Sequence, residues 1–161
     1  MPKIDLEKYP KIGQTDPIYG CIPVNIENAL KYFDEQNYNE EILLRFYREN
    51  HIPLSFDQAL PHLKRLIPHF EFIFKRKEDF EHSADKMVEY IKKNIDNEIP
   101  VLVSFEQSGE AHIMTSIEYN ETELIFFDPG DTQKKRFNYL TDQFANALRA
   151  DFHTLIVRPR D

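Results

Sequence analysis

The chain has 161 residues and a formal net charge of −8, from 28 acidic and 20 basic side chains. That length suits one domain with a core of its own, without disulfides or metal, and the acidic balance disfavours a nucleic-acid partner. No apolar run reaches the length of a membrane span, Met1 to Lys8 lack the apolar stretch of a secretory signal, and the lone Cys21 excludes an internal disulfide; a cytoplasmic protein with no membrane partner is expected.

The first twenty residues, with Pro2, Pro10, Gly13, Pro17 and Gly20, read as irregular coil. A helix is predicted to start at Cys21-Ile22-Pro23, because proline is tolerated in a first turn, and Ile26, Ala29, Leu30 and Phe33 then follow at helical spacing. Asn37 to Asn39 break it. A second short helix spans Glu40 to Arg48. Ser55 to Ile67 opens with a capping-box pattern, Ser55 and Gln58, but contains Pro61, which predicts a kink or a late start. Phe70 to Phe74 reads as a strand, and Ser83 to Ile95 as an amphipathic helix with Met87, Val88, Ile91 and Ile95 on one side.

From Pro100 the pattern turns to strands: Val101 to Phe105, His112 to Tyr119, Glu123 to Asp128 and Arg136 to Tyr139. Thr141 to Arg149 reads as a helix and Thr154 to Val157 as a closing strand. Helices first and strands later is the order of an α+β domain. Lys75 to Lys77 and Lys134 to Arg136 are each flanked by acidic residues and read as solvated loop charges.

A hairpin centred on Asn120 would set Ser116 against Leu124, Met114 against Phe126 and His112 against Asp128, so that the imidazole and the carboxylate share one face. A carboxylate that fixes an imidazole's tautomer makes a general base. Cys21, at a helix start, is a candidate nucleophile, because a thiol attacks as thiolate and a helix N-terminus favours that charge. These are the parts of a thiol hydrolase. His62 and His69 are seven apart but interrupted by Pro68, and no acidic or cysteine partner sits at useful spacing in the sequence, so no metal and no cofactor is expected. His51, His82 and His153 have no visible partner, and Ser104 and Ser116 lack the G-x-S-x-G setting of a serine nucleophile.

Tyr19-Gly20-Cys21-Ile22-Pro23 with Asn28-Ala29-Leu30, then Ile99 to Val103, Ala111-His112-Ile113-Met114 and Phe127-Asp128-Pro129, together resemble papain-like cysteine peptidases, in the branch related to bacteriocin-leader-processing peptidase domains. The resemblance implies a papain-like α+β fold over residues 1–161, helical at about 21–95 and β-rich at about 99–158. It implies Cys21 as nucleophile, His112 as base, Asp128 as the residue that orients it, and Gln14 with the Cys21 N–H as oxyanion donors. Gln14 lies seven positions before the cysteine, where the family spacing is six, so its loop is read as one residue longer. Ile22, where relatives often carry acidic or glycine-rich flanks, and Glu118 to Glu121 depart from the family texture and bear on substrate preference. With no transporter segment among these residues, secretion-coupled leader processing is not expected. The expected function is hydrolysis of peptide, isopeptide or other amide bonds in a peptide or protein substrate; the competing reading is a catalytically silent papain-like module that binds a peptide or protein partner.

Overall fold

The computed structural model describes residues 4–17, 19–53 and 55–161. Helices α1 (Cys21–Tyr32), α2 (Glu40–Glu49) and α3 (Leu60–Leu66) come first. Strand β1 (Phe70–Arg76), a 3-10 turn (Lys77–Phe80) and α4 (Ala84–Asp96) follow. The remainder is β2 (Val101–Gln107), β3 (Glu110–Tyr119), β4 (Glu123–Asp128), β5 (Gln133–Asn138), α5 (Gln143–Ala147) and β6 (His153–Pro159). The six strands form one antiparallel sheet in the order β1-β6-β2-β3-β4-β5.

Local chemistry accounts for the helix boundaries. Asn39 and Ser83 cap α2 and α4, their side chains accepting from the N–H groups of Ile42 and Lys86. The late start expected at Pro61 is seen: α3 begins at Leu60 with the proline in its first turn. The capping box expected at Ser55 is not formed. Ala59 stands at the N-cap without a side-chain bond, and the Ser55 hydroxyl is buried without a partner among the described residues.

Two apolar clusters sandwich the sheet. Met87, Val88, Ile91 and Ile95 of α4 pack with Val101, Val103, Met114 and Phe126. Ile26 and Leu30 of α1, Leu43 of α2 and Leu63 of α3 pack with Leu102, Ile113, Leu155 and Val157. At roughly 25 cal/mol per Å² of apolar surface removed from water, such burial is the main stabilising term.

The β3–β4 pairing differs from the expected hairpin. Ser116 faces Phe126 rather than Leu124, and Thr115 faces Phe127. Nearer the turn Tyr119 faces Leu124 and Glu118 faces Ile125, so Ile117 is an extra residue on β3, a bulge. The turn alone would have set Asp128 opposite Thr115, on the face away from His112. The bulge shifts the pairing by one and returns Asp128 to the His112 face, as a diagonal neighbour instead of a direct one. The Lys134 to Arg136 cluster also departs from expectation: it lies on strand β5.

Candidate active site

Cys21 is the first residue of α1, after Gly20 at the N-cap. α1 is buried nearly all round, so its polar side chains must find partners inside. The Asn25 amide donates to the Cys21 carbonyl (2.6 Å) and to the Ile113 carbonyl (2.9 Å), and its oxygen accepts from the Thr115 hydroxyl (2.6 Å). Ile113 follows His112, so one fully buried amide ties the cysteine helix to the histidine strand.

On β3, His112 Nε2 lies 2.6 Å from Asp128 Oδ1, with side chains 13% and 4% exposed. Asp128 Oδ1 also accepts from the Gly130 N–H at 2.8 Å. With Nε2 engaged, Nδ1 remains for the thiol, and Cys21 is hydrogen-bonded to His112. Burial by itself would push the imidazole down, but the Asp128 and Cys21 bonds and their charges override it and raise His112 to about 9. Lys135 ion-pairs with Asp131 and stands 3.7 Å from Asp128 Oδ2.

Gln14 sits on a loop held from several sides. Its N–H donates to the Pro129 carbonyl (2.9 Å). Asn28 exchanges bonds with both backbone groups of Ile12, at 2.9 and 3.0 Å. The Glu40 carboxylate, 6% exposed, accepts from the Thr15 N–H (2.7 Å), the Thr15 hydroxyl (2.6 Å) and the Asp16 N–H (2.9 Å). Glu27 in turn accepts from the Glu40 N–H (2.7 Å) and from Lys31 (2.5 Å). Gly20 is where this loop, α1 and Glu40 converge. A methyl group there would overlap the Glu40 carboxylate and approach the Asp16 carbonyl to 2.6 Å. The Gln14 side-chain amide donates to the Asp16 carbonyl at 3.0 Å and keeps a second N–H free to donate.

Two hollows, each of about 290 Å³, share Cys21 and Ala111. One is polar and lined by Gln14, Thr15, Gln107, Glu110 and His112. The other is more apolar, with Tyr19, Ile22, Phe56, Ile113 and His153 on its walls and Arg149 with Asp151 beside them. His153 has partners after all: its ring packs on Phe56 and Phe74, and Nδ1 lies 3.3 Å from the Asp151 carbonyl. Burial lowers its affinity for a proton.

The fold thus brings Cys21, His112, Asp128 and Gln14 together around one cleft. Among the described residues no group of three or more His, Cys, Asp or Glu is placed to hold a metal ion, and no helix is long and apolar enough to cross a membrane. Asn25, Glu40 and Lys135 were not given a site role from the sequence, and Asn28 entered only as part of the motif around Cys21. Asn25 had a signal, being a polar residue between Val24 and Ile26 in an otherwise apolar first half of the helix.

Solved structures share this architecture. The peptidase domain of Streptococcus ComA, a bi-functional ABC transporter involved in a quorum-sensing pathway, superposes with a TM-score of 0.62 at 15% identity, covering 92% of this chain and 97% of that one. A C39-like peptidase from Bacillus anthracis superposes with a TM-score of 0.60 at 14% identity, covering 99% and 100%. No protein of curated function matches the sequence. The model of the peptidase C39-like family matches residues 6–153, nearly the whole chain, which therefore belongs to the peptidase C39-like family.

Proposed function

We propose that this protein is a thiol hydrolase that cleaves peptide or other amide bonds, with Cys21 as nucleophile, His112 as acid and base, and Asp128 as the residue that orients and charges His112. The observation that carries the reading is the 2.6 Å bond from His112 Nε2 to Asp128, which leaves Nδ1 for the Cys21 thiol. Membership of a peptidase family supports it independently.

The steps follow from the geometry. Cys21 Sγ attacks the carbonyl carbon, and the carbonyl electrons move onto oxygen. The oxyanion is met by the second Gln14 amide N–H and by the Cys21 backbone N–H, which lies in the first helical turn and has no intrahelical acceptor. His112, protonated at neutral pH because its affinity for the proton is raised to about 9, gives its proton to the leaving nitrogen as the C–N bond breaks. The thioester left on Cys21 is opened by water, whose proton His112 accepts. The cleft's two hollows support a peptide-like substrate lying across the sulfur, one side in polar and the other in apolar surroundings.

The test is labelling by a thiol-directed activity probe, with hydrolysis of a mixed fluorogenic peptide library. Cys21→Ala abolishes both. His112→Ala lowers kcat/KM on the order of a thousandfold while circular dichroism stays unchanged. If wild type and His112→Ala are labelled equally slowly and neither turns over peptide, the protein is a silent binding module and the proposal fails.

A further inference from the structure

The sheet has two free edges, and they are built differently. β5 carries Lys134, Lys135 and Arg136, the charged edge that discourages pairing with another chain. β1 reads Phe70-Glu71-Phe72-Ile73-Phe74, apolar at its centre, and a trough of about 620 Å³ runs along it, bounded by Phe72 to Phe74, by Leu60 and Lys64 of α3 and by Arg160.

The backbone groups on this edge can be assigned. Arg160 N–H donates to the His69 carbonyl, so the hydrogen-bonded pairs of the antiparallel β1–β6 ladder are the alternate ones, Glu71 with Arg158, Ile73 with Ile156 and Lys75 with Thr154. The N–H and C=O groups of Phe70, Phe72 and Phe74 therefore point outward. Pro159, which has no N–H to give, lies opposite Phe70, as this phase requires. At one end the outward groups are used: Phe70 N–H donates to the Ile67 carbonyl, and Arg160 Nε donates to the Phe70 carbonyl. At the other end Arg76 N–H is taken by the Asp79 carboxylate. Between these stops the four groups of Phe72 and Phe74 have no partner among the described residues.

This open stretch is symmetric about Ile73. A second copy running antiparallel, with the two-fold axis at Ile73, sets Phe72 opposite Phe74 of the second copy in hydrogen-bonded pairs, using all four groups on each chain. In the same register Ile73 meets Ile73, and Glu71 meets Lys75 of the second copy twice, an opposite-charge cross-strand pair on one face. Registers displaced by two residues lose this match, setting Glu71 or Lys75 opposite Ile73. We infer that β1 is a homodimer interface, joining two six-stranded sheets edge to edge through Phe72–Phe74 with Glu71–Lys75 pairs fixing the register. Glu71 already meets Arg158 at 3.0 Å, and Lys75 lies over the Tyr90 ring, so both side chains are held near this edge.

Sedimentation velocity over a wide concentration range tests this. Wild type is expected to form a species of twice the 19.2 kDa chain mass. Glu71→Lys and Lys75→Glu each place like charges across the axis twice and should raise the dimer dissociation constant about tenfold or more. The doubly exchanged chain, Glu71→Lys with Lys75→Glu, should dimerise again, and so should an equimolar mixture of the two single variants, which have complementary edges. Circular dichroism verifies folding, and because neither residue touches the cleft, per-chain kcat/KM should not change. Wild type that stays monomeric throughout overturns the inference, as does a dimer that both single variants retain, or a failure of the mixture to recover association.

Discussion

The proton on His112 is held by Asp128 and Cys21 against the cost of burial, so the pH dependence of turnover should report on both partners. With the imidazole raised from 6.5 to about 9, kcat/KM should fall on the alkaline side as pH rises through about 9 and the leaving group's proton is lost. Asp128→Asn keeps a hydrogen-bond acceptor but removes the charge, so that limb should move down by roughly one unit. The sign for stability is the same. A group raised on folding stabilises the fold fully below its unfolded value and loses that contribution as pH rises through its folded value. The melting-temperature advantage of wild type over Asp128→Asn should therefore be full near pH 6 and narrow through pH 9. An unmoved alkaline limb would reduce Asp128 to a turn residue bonded to Gly130. Of this site, Cys21 and Asp128 were legible because each carries distinctive chemistry next to a punctuating Gly or Pro, and His112 because alternation along its strand put it on the face of Asp128. Lys135 was not, because a basic cluster looks the same on a loop and on a strand that runs past a buried carboxylate.

The loop before α1 shows how a neighbouring helix can set the chemistry. Glu40 holds Thr15 and Asp16 with three short bonds and has no place among the reacting groups; it fixes the backbone just after Gln14, including Asp16, whose carbonyl accepts from the Gln14 side chain. Glu40→Ala should lower kcat on the order of tenfold to a hundredfold, part of what loss of an oxyanion donor costs. KM and the rate of Cys21 alkylation should barely change, because the thiol and His112 are placed by α1 and β3. An equal fall in alkylation rate would mean that Glu40 supports α1 itself. Glu40 escaped sequence reading because an acidic residue in a first helical turn is already accounted for by the helix dipole; only the tertiary fold turns it inward. The strand register was legible only in parity. Alternation placed His112 and Asp128 on one face, and they are, but Asn120 as the hairpin centre gave the wrong partners. Two errors offset each other, the real turn lying further along the chain and the Ile117 bulge adding one residue. A bulge costs no composition signal, since Ile117 is as apolar as any core strand residue.

Across the whole molecule, there are two apolar clusters, and α1 packs into one of them through Ile22, Ile26, Ala29 and Leu30, with only Tyr32 at its end joining the other. Stability and turnover should therefore be separable. Ile91→Ala, in the centre of α4 and fully buried, should cost about 2–5 kcal/mol in urea unfolding while kcat/KM at 25 °C stays near wild type. A matching loss of turnover would mean that the α4 side shapes the cleft. The fold class was legible from the change in hydrophobic period near Pro100. The first strand, β1, was legible as a strand but not as an edge, because β6 is inserted between it and β2, and the β1–β6 pairing joins segments more than 75 residues apart, which no local pattern encodes. The cleft itself lies between α1 and β3, and Asn25 spans that seam with two bonds, out of reach of water. To widen the opening, a buried amide would have to abandon the Ile113 carbonyl and the Thr115 hydroxyl with nothing to replace them. The two walls therefore share a rivet and have no hinge between them, and they part only when the protein melts.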